Sequence, residues 1–98
     1  MSLVLLQHSN TQWSLKGPLN VDTIRRIWRK GHEGMKQTPG AEIVLDLSQI
    51  SDPDSASVAL LVDWLRYAKR HQKTIRLNHV PKKMQDIIRL SNLQDILV

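Results

Sequence analysis

The sequence predicts an α/β domain, a mixed β-sheet of four to five strands with three or so helices packed on it. Three observations carry that prediction. Short apolar or alternating runs alternate with segments of helical periodicity along the chain. The helical segments are long enough to serve as crossovers, which implies a mostly parallel or mixed sheet. The 98 residues, of which 41% are hydrophobic and 23% charged, suffice for one core but not two, so residues 1–98 are read as a single domain.

The elements follow in order. LVLLQH (3–8) and TQWSLKG (11–17) read as two strands joined by a turn at Ser9-Asn10, with Trp13 and Leu15 alternating against polar neighbours in the second. After Gly17-Pro18, Val21, Ile24, Ile27 and Trp28 recur at helical spacing, Asn20 or Asp22 being placed to cap the start and Gly31 and Gly34 weakening the end. Thr38-Pro39-Gly40 breaks the chain. EIVLDLS (42–48) is a near-continuous apolar run, the pattern of a strand covered on both faces. DSASVALLVDWLRYAKRH (54–71) is the clearest helix, with Val58, Leu61, Val62, Leu65 and Ala68 forming a core-facing stripe. KTIRLNHV (73–80) reads as a strand, and Pro81 opens a helix carrying Met84, Ile87, Ile88 and Leu90. The terminal QDILV is placed as a last short strand.

Composition narrows the function classes. Without cysteine there is neither a disulfide framework nor thiolate chemistry. The N-terminal MSLVLLQHSN has four consecutive apolar residues and no basic lead, too little for a signal peptide or a membrane span, so the expectation is a soluble, cytoplasmic protein with no direct membrane insertion. GxxxxGK[ST], GxGxxG, HExxH and GxSxG are all missing, and no catalytic, metal or cofactor site is expected. His8, His32, His71 and His79 lie far apart and near element ends. Asp46, Asp52 and Asp54 are placed to converge at a strand end, but read first as turn and capping residues. The net charge of +5 would favour an anionic partner, but the basic residues are scattered along the chain and read first as a solvated surface. RRIWRK (25–30) has the composition of a nucleic-acid patch, yet Trp28 shares the face of Ile24 and Ile27. It therefore reads as core, with Arg25, Arg26, Arg29 and Lys30 as a wet face and no nucleic acid as partner.

SDPDSASVALLVDW (51–64) is the informative stretch. Asp52, Pro53 and Asp54 suit a helix start, where acidic groups accept backbone N–H and complement the helix dipole. Capping does not account for Ser55, Ala56 and Ser57. By helical spacing Ala56, Ala59, Leu60, Asp63 and Tyr67 fall away from the stripe, so an apolar patch with a polar rim is expected to face outward and dock a protein.

The run from Ile43 to Leu97, an apolar strand ending in Asp-Leu-Ser, a loop with Asp-Ser opening the next helix, a basic helix end, a strand, and a last helix with Leu90, Leu93 and Leu97, resembles the STAS domains (sulphate transporter and anti-sigma factor antagonist). The resemblance implies a STAS, or SpoIIAA-like, fold without catalytic activity. Ser55 stands where partner kinases phosphorylate anti-sigma factor antagonists, Asp46 and Asp54 at the acidic positions beside it. The chain departs from the family at Ser57, usually Gly, and Pro53, usually apolar. Among stand-alone members it is similar to the small MlaB-like subunits of Mla-type phospholipid transporters. That implies a cytoplasmic subunit held at the inner membrane through its complex, with an MlaF-like ABC transporter ATPase subunit as partner. The partner-facing set is then Ser55 with Asp54, Ala56, Ser57, Ala59, Leu60, Asp63 and Tyr67. The alternative within the family is an anti-sigma factor antagonist whose partner is a kinase acting on Ser55.

Overall fold

A computed structural model describes residues 2–97. The alternation of strand and helix expected from the sequence is present. β1 (Val4–Gln7) and β2 (Gln12–Pro18) form an antiparallel hairpin, α1 (Ile24–Gln37) crosses to β3 (Glu42–Ser51), α2 (Ser55–Arg70) crosses to β4 (Thr74–Asn78), and α3 (Lys82–Leu90) leads to a 3₁₀ turn at Gln94–Leu97. The sheet has the order β1-β2-β3-β4, with β2–β3 and β3–β4 parallel. The mixed four-stranded sheet with three helices is thus the predicted class. The expected strand at QDILV is instead that 3₁₀ turn, and Val98 lies outside the described residues.

The helices cover one face of the sheet. Ile43, Leu45 and Leu47 of β3 are buried beneath them with Trp13, Leu15 and Ile75, while the alternate residues Val44 and Asp46 are half-buried. The strand expected to be covered on both faces is therefore covered on one, because successive side chains point to opposite faces and no helix lies on the second. α2 is the central helix, packed against α1 on one side and α3 on the other.

α1 begins later than its apolar pattern suggests. Val21 is exposed and precedes the helix in a turn where the Asn20 side chain accepts from the Asp22 N–H. Gly31 and Gly34 do not end the helix but sit buried on its inner face, where they let two tryptophans approach the backbone. A Cβ on Gly31 would overlap the Trp64 ring, and one on Gly34 would lie 2.8 Å from Trp13 Cη2. Trp64 anchors the contact by donating its indole N–H to the Trp28 carbonyl at 3.2 Å. At the end of α1, Lys73 Nζ donates to the carbonyls of Thr38 and Gly40, tying the breaker segment to the base of β4.

Candidate functional site

The start of α2 is built by one carboxylate. Asp54, in extended conformation, accepts from the N–H groups of Ala56 (2.9 Å) and Ser57 (3.3 Å) through Oδ1, and its Oδ2 accepts from the Val21 N–H at 3.1 Å. It thereby satisfies orphan donors of α2 and fixes the turn before α1. Ser57 is fully buried and its hydroxyl donates to the Asp54 carbonyl. Ser55, the first helical residue, is exposed, and among the described residues its hydroxyl makes no hydrogen bond.

From Ser55 an outward ridge runs along α2 through Ala59, Val62 and Arg66. Opposite it α3 and its exit contribute Ile87, Ser91 and Leu93, so that a groove lies between the two helices with Ser55 at one end. Its walls are mainly apolar, and Leu90, 89% exposed, stands on the same terminal segment of α3.

Several residues expected on the outward patch lie elsewhere. Leu60 is completely buried, and so is Ser57. Ala56 is half-buried and packs on the core. The helical stripe is turned from the expected one because Trp64, 1% exposed, belongs to it; burying the largest side chain of the helix carries Leu60 inward and leaves Val62 and Leu65 half-buried. Asp63 and Tyr67 turn toward α1. Asp63 Oδ2 accepts from Trp28 Nε1 at 2.8 Å and from His32 Nε2 at 2.7 Å. Tyr67 stacks flat on His32, with centroids 3.9 Å apart, and is flanked on its other side by His71 at 4.4 Å. This Trp28–His32–Asp63–Tyr67 cluster joins α1 to α2, and sequence reasoning missed it because its halves lie more than thirty positions apart. The sole local hint was Asp63 within an apolar stretch.

Asp46 does not join Ser55. It lies on the bare face of the sheet, where its carboxylate accepts from His79 Nδ1 (2.9 Å) and from the Ser48 hydroxyl and N–H. Partial burial works to raise its pKa, but the hydrogen bonds from His79 and Ser48 and the charge of His79 outweigh it and hold the carboxyl below its ordinary value. Asp52 is exposed in a left-handed turn (φ 48°) and Asp54 is engaged in capping. Among the described residues no group of three potential ligands is placed to hold a metal ion. His8 shares a hydrogen bond of 2.8 Å with Ser14 on the bare sheet face. Among the described residues no helix is long and apolar enough to cross a membrane.

Comparison with known proteins adds a second line. A family model described as "Mlab, STAS domain" matches residues 4–98. The chain is 29% identical over 92 residues to the intermembrane phospholipid transport system binding protein MlaB of Escherichia coli (strain K12), spanning 94% of this chain and 90% of that protein, and equally so to the protein of the same name from Shigella flexneri. Among solved structures, a chain of the Acinetobacter MlaFEDB complex in its ATP-bound Vtrans2 conformation superposes with a TM-score of 0.83 at 24% identity, covering 97% of this chain and 99% of that one. The anti-sigma factor antagonist SpoIIAA in its unphosphorylated form superposes at 0.70 with 16% identity, covering 91% and 83% of the two chains. The phosphorylated Bacillus cell fate determinant SpoIIAA does so at 0.69 with 18% identity, covering 96% and 86%. These structural likenesses are likenesses of fold.

Proposed function

This chain belongs to the MlaB-type STAS domain family, and from that premise we propose that it is a non-catalytic subunit that docks on the ATPase of a phospholipid ABC transporter and stabilises it, through the groove between α2 and α3. The observation that carries this reading is the groove itself: an apolar trough between two helices, open to solvent, with the unbonded hydroxyl of Ser55 at one end and Arg66 on its rim. An apolar centre with polar edges is the anatomy of a protein interface. The name of the Escherichia coli relative, a binding protein of an intermembrane phospholipid transport system, supports the same class of partner. The likeness of fold to a chain of the MlaFEDB complex is in keeping with a subunit of such an assembly. Of the residues proposed from sequence, Ser55 and Ala59 remain in the docking surface and Asp63 borders it. Asp54 supports it as the cap, and Leu60, Ser57, Ala56 and Tyr67 act beneath or beside it as packing.

The test is co-purification of the chain with the ATPase subunit of its own organism's Mla-type transporter. Ala59→Glu puts a carboxylate into the middle of the apolar trough at an exposed position, so the fold survives while the interface must desolvate a charge, and retention is expected to fall more than tenfold. Unchanged retention by a variant with a native circular dichroism spectrum would refute the groove. Leu60→Asp would not test it, because that side chain lies in the core.

A second reading rests on one observation, the exposure of Ser55 at the first position of α2. A phosphate there would add about −2 charge at a helix N-terminus, where the dipole tolerates it, yet beside Asp54 and at the end of an apolar trough, where it opposes docking. The chain would then act as an anti-sigma factor antagonist switched by a kinase. Mass spectrometry of the protein isolated from cells decides it: a stoichiometric phosphate on Ser55 supports the switch, and its absence under all growth conditions removes it.

A further inference from the structure

The net positive charge of this chain is concentrated in one part of the fold. α1 and α2 together carry eight Lys and Arg against two acidic residues, Glu33 and Asp63, while the remaining chain carries six basic residues against seven acidic ones. The two adjacent helices thus carry a net +6 and the rest of the chain −1, which together make the net charge of +5. All eight cations, Arg25, Arg26, Arg29, Lys30 and Lys36 of α1 and Arg66, Lys69 and Arg70 of α2, are exposed, and among the described residues none is paired with a carboxylate. Of the two acids, Asp63 is engaged by Trp28 and His32, which leaves Glu33 as the exposed acid among the eight cations.

We infer that the outer side of the α1–α2 layer is an electrostatic seat for an anionic phospholipid surface. The cations are exposed along two helices packed side by side, in wide shallow surfaces lined by Arg25, Arg26, Arg29 and Lys30 on one helix and Arg66, Lys69 and Arg70 on the other. Four to eight Lys and Arg on one helical surface is the number that holds a segment to anionic headgroups, each contributing about a fivefold increase in binding near the surface. Val21, 64% exposed, precedes α1 in the turn where its N–H is tied to Asp54 at the start of α2, an exposed apolar side chain beside the two helices. Nucleic acid fits less well. A single strand wants exposed aromatic faces on which to stack, and here Trp28 and Tyr67 are half-buried, the first engaged with Asp63 and the second stacked between His32 and His71. A duplex reader wants a helix standing clear of its neighbours to enter the major groove, and α1 is flanked by α2. The seat is separate from the groove between α2 and α3, sharing only Arg66 with it, so it does not depend on the docking reading.

The experiment is co-sedimentation of the full chain with vesicles of phosphatidylcholine alone and of phosphatidylcholine containing about one-third phosphatidylglycerol. Binding to the anionic vesicles only is expected, weakening as salt is raised from about 50 mM to about 500 mM. Arg25→Glu/Arg29→Glu and Lys69→Glu/Arg70→Glu, which each remove two cations and add two anions, are expected to lower the partition coefficient more than about 25-fold, and the milder Arg25→Gln/Arg29→Gln, which only removes two cations, by about 25-fold or less. Lys16→Glu/Lys83→Glu makes the same change in net charge away from the layer and is expected to stay within about threefold of wild type. Equal binding to neutral and anionic vesicles would overturn the inference, as would an equal loss in the Lys16/Lys83 control. A single-stranded or duplex oligonucleotide that binds more tightly than the anionic vesicles at the same salt would transfer the surface to nucleic acid and overturn it too.

Discussion

Gly31→Ala isolates the close approach of α1 and α2. In an exposed helix interior this substitution stabilises a protein by about 1 kcal/mol, since glycine is the poorer helix former. Here the new methyl would lie within the Trp64 ring, with Cη2 at 2.9 Å and two further ring atoms nearer still. Trp64 is 1% exposed and cannot swing aside without releasing its hydrogen bond to the Trp28 carbonyl. Overpacking of this kind costs about 1–3 kcal/mol, and the lost hydrogen bond about 1 kcal/mol more. Against the helix-propensity gain, the net loss is about 1–3 kcal/mol, or roughly 5–20 °C in Tm for a domain of this size. Urea and thermal unfolding followed by tryptophan fluorescence measure it. A double-mutant cycle with Trp64→Phe tests the cause: with the indole removed, alanine at 31 should become neutral or stabilising. A wild-type background in which Gly31→Ala raises Tm would refute the account.

Three further outcomes are expected. Asp54→Ala should cost about 2 kcal/mol in urea unfolding, at the upper end for a helix cap, because Val21 loses its acceptor along with Ala56 and Ser57. Asp63→Leu should cost about 1–3 kcal/mol, as the Trp28 N–H loses its acceptor, whereas Asp63→Asn, which keeps an acceptor oxygen, should cost less than about 1 kcal/mol. Asp46 governs part of the acid limb. Its pKa is lowered in the folded state, so its contribution is complete above the unfolded value of about 3.9 and disappears as pH falls through the native value. Urea midpoints from neutral pH downward should therefore decline less steeply below pH ~4 in Asp46→Asn than in wild type; superimposable acid limbs would contradict the His79 and Ser48 contacts.

The order of elements was legible because it depends on local pattern: alternation at Trp13 and Leu15, the breakers at Thr38-Pro39-Gly40, and Pro81 before α3. What required the third dimension was less accessible. The run 42–48 looked covered twice because Val44 is apolar, although it faces the open side. The face of α2 was assigned from aliphatic spacing, and leaving Trp64 out of the stripe was enough to send Leu60 to the wrong side. Gly31 and Gly34 read as weakness in a helix when they are the places where two tryptophan rings come in. Of the candidate docking surface, Ser55 could be named from its position past a cap and Ala59 from its helical spacing, but the wall from Ile87 and Leu93 depends on how α3 packs beside α2, which no local spacing encodes.

The double duty of Asp54 limits how the neighbourhood of Ser55 can be dissected. One carboxylate knots together the turn ahead of α1 and the first turn of α2, so a lesion there loosens two helices at once and is indistinguishable, in a pull-down, from a spoiled contact. Ser55 next to it bears no such structural burden. Its hydroxyl is the one handle at this corner that can be exchanged for alanine or a carboxylate without disturbing the scaffold beneath.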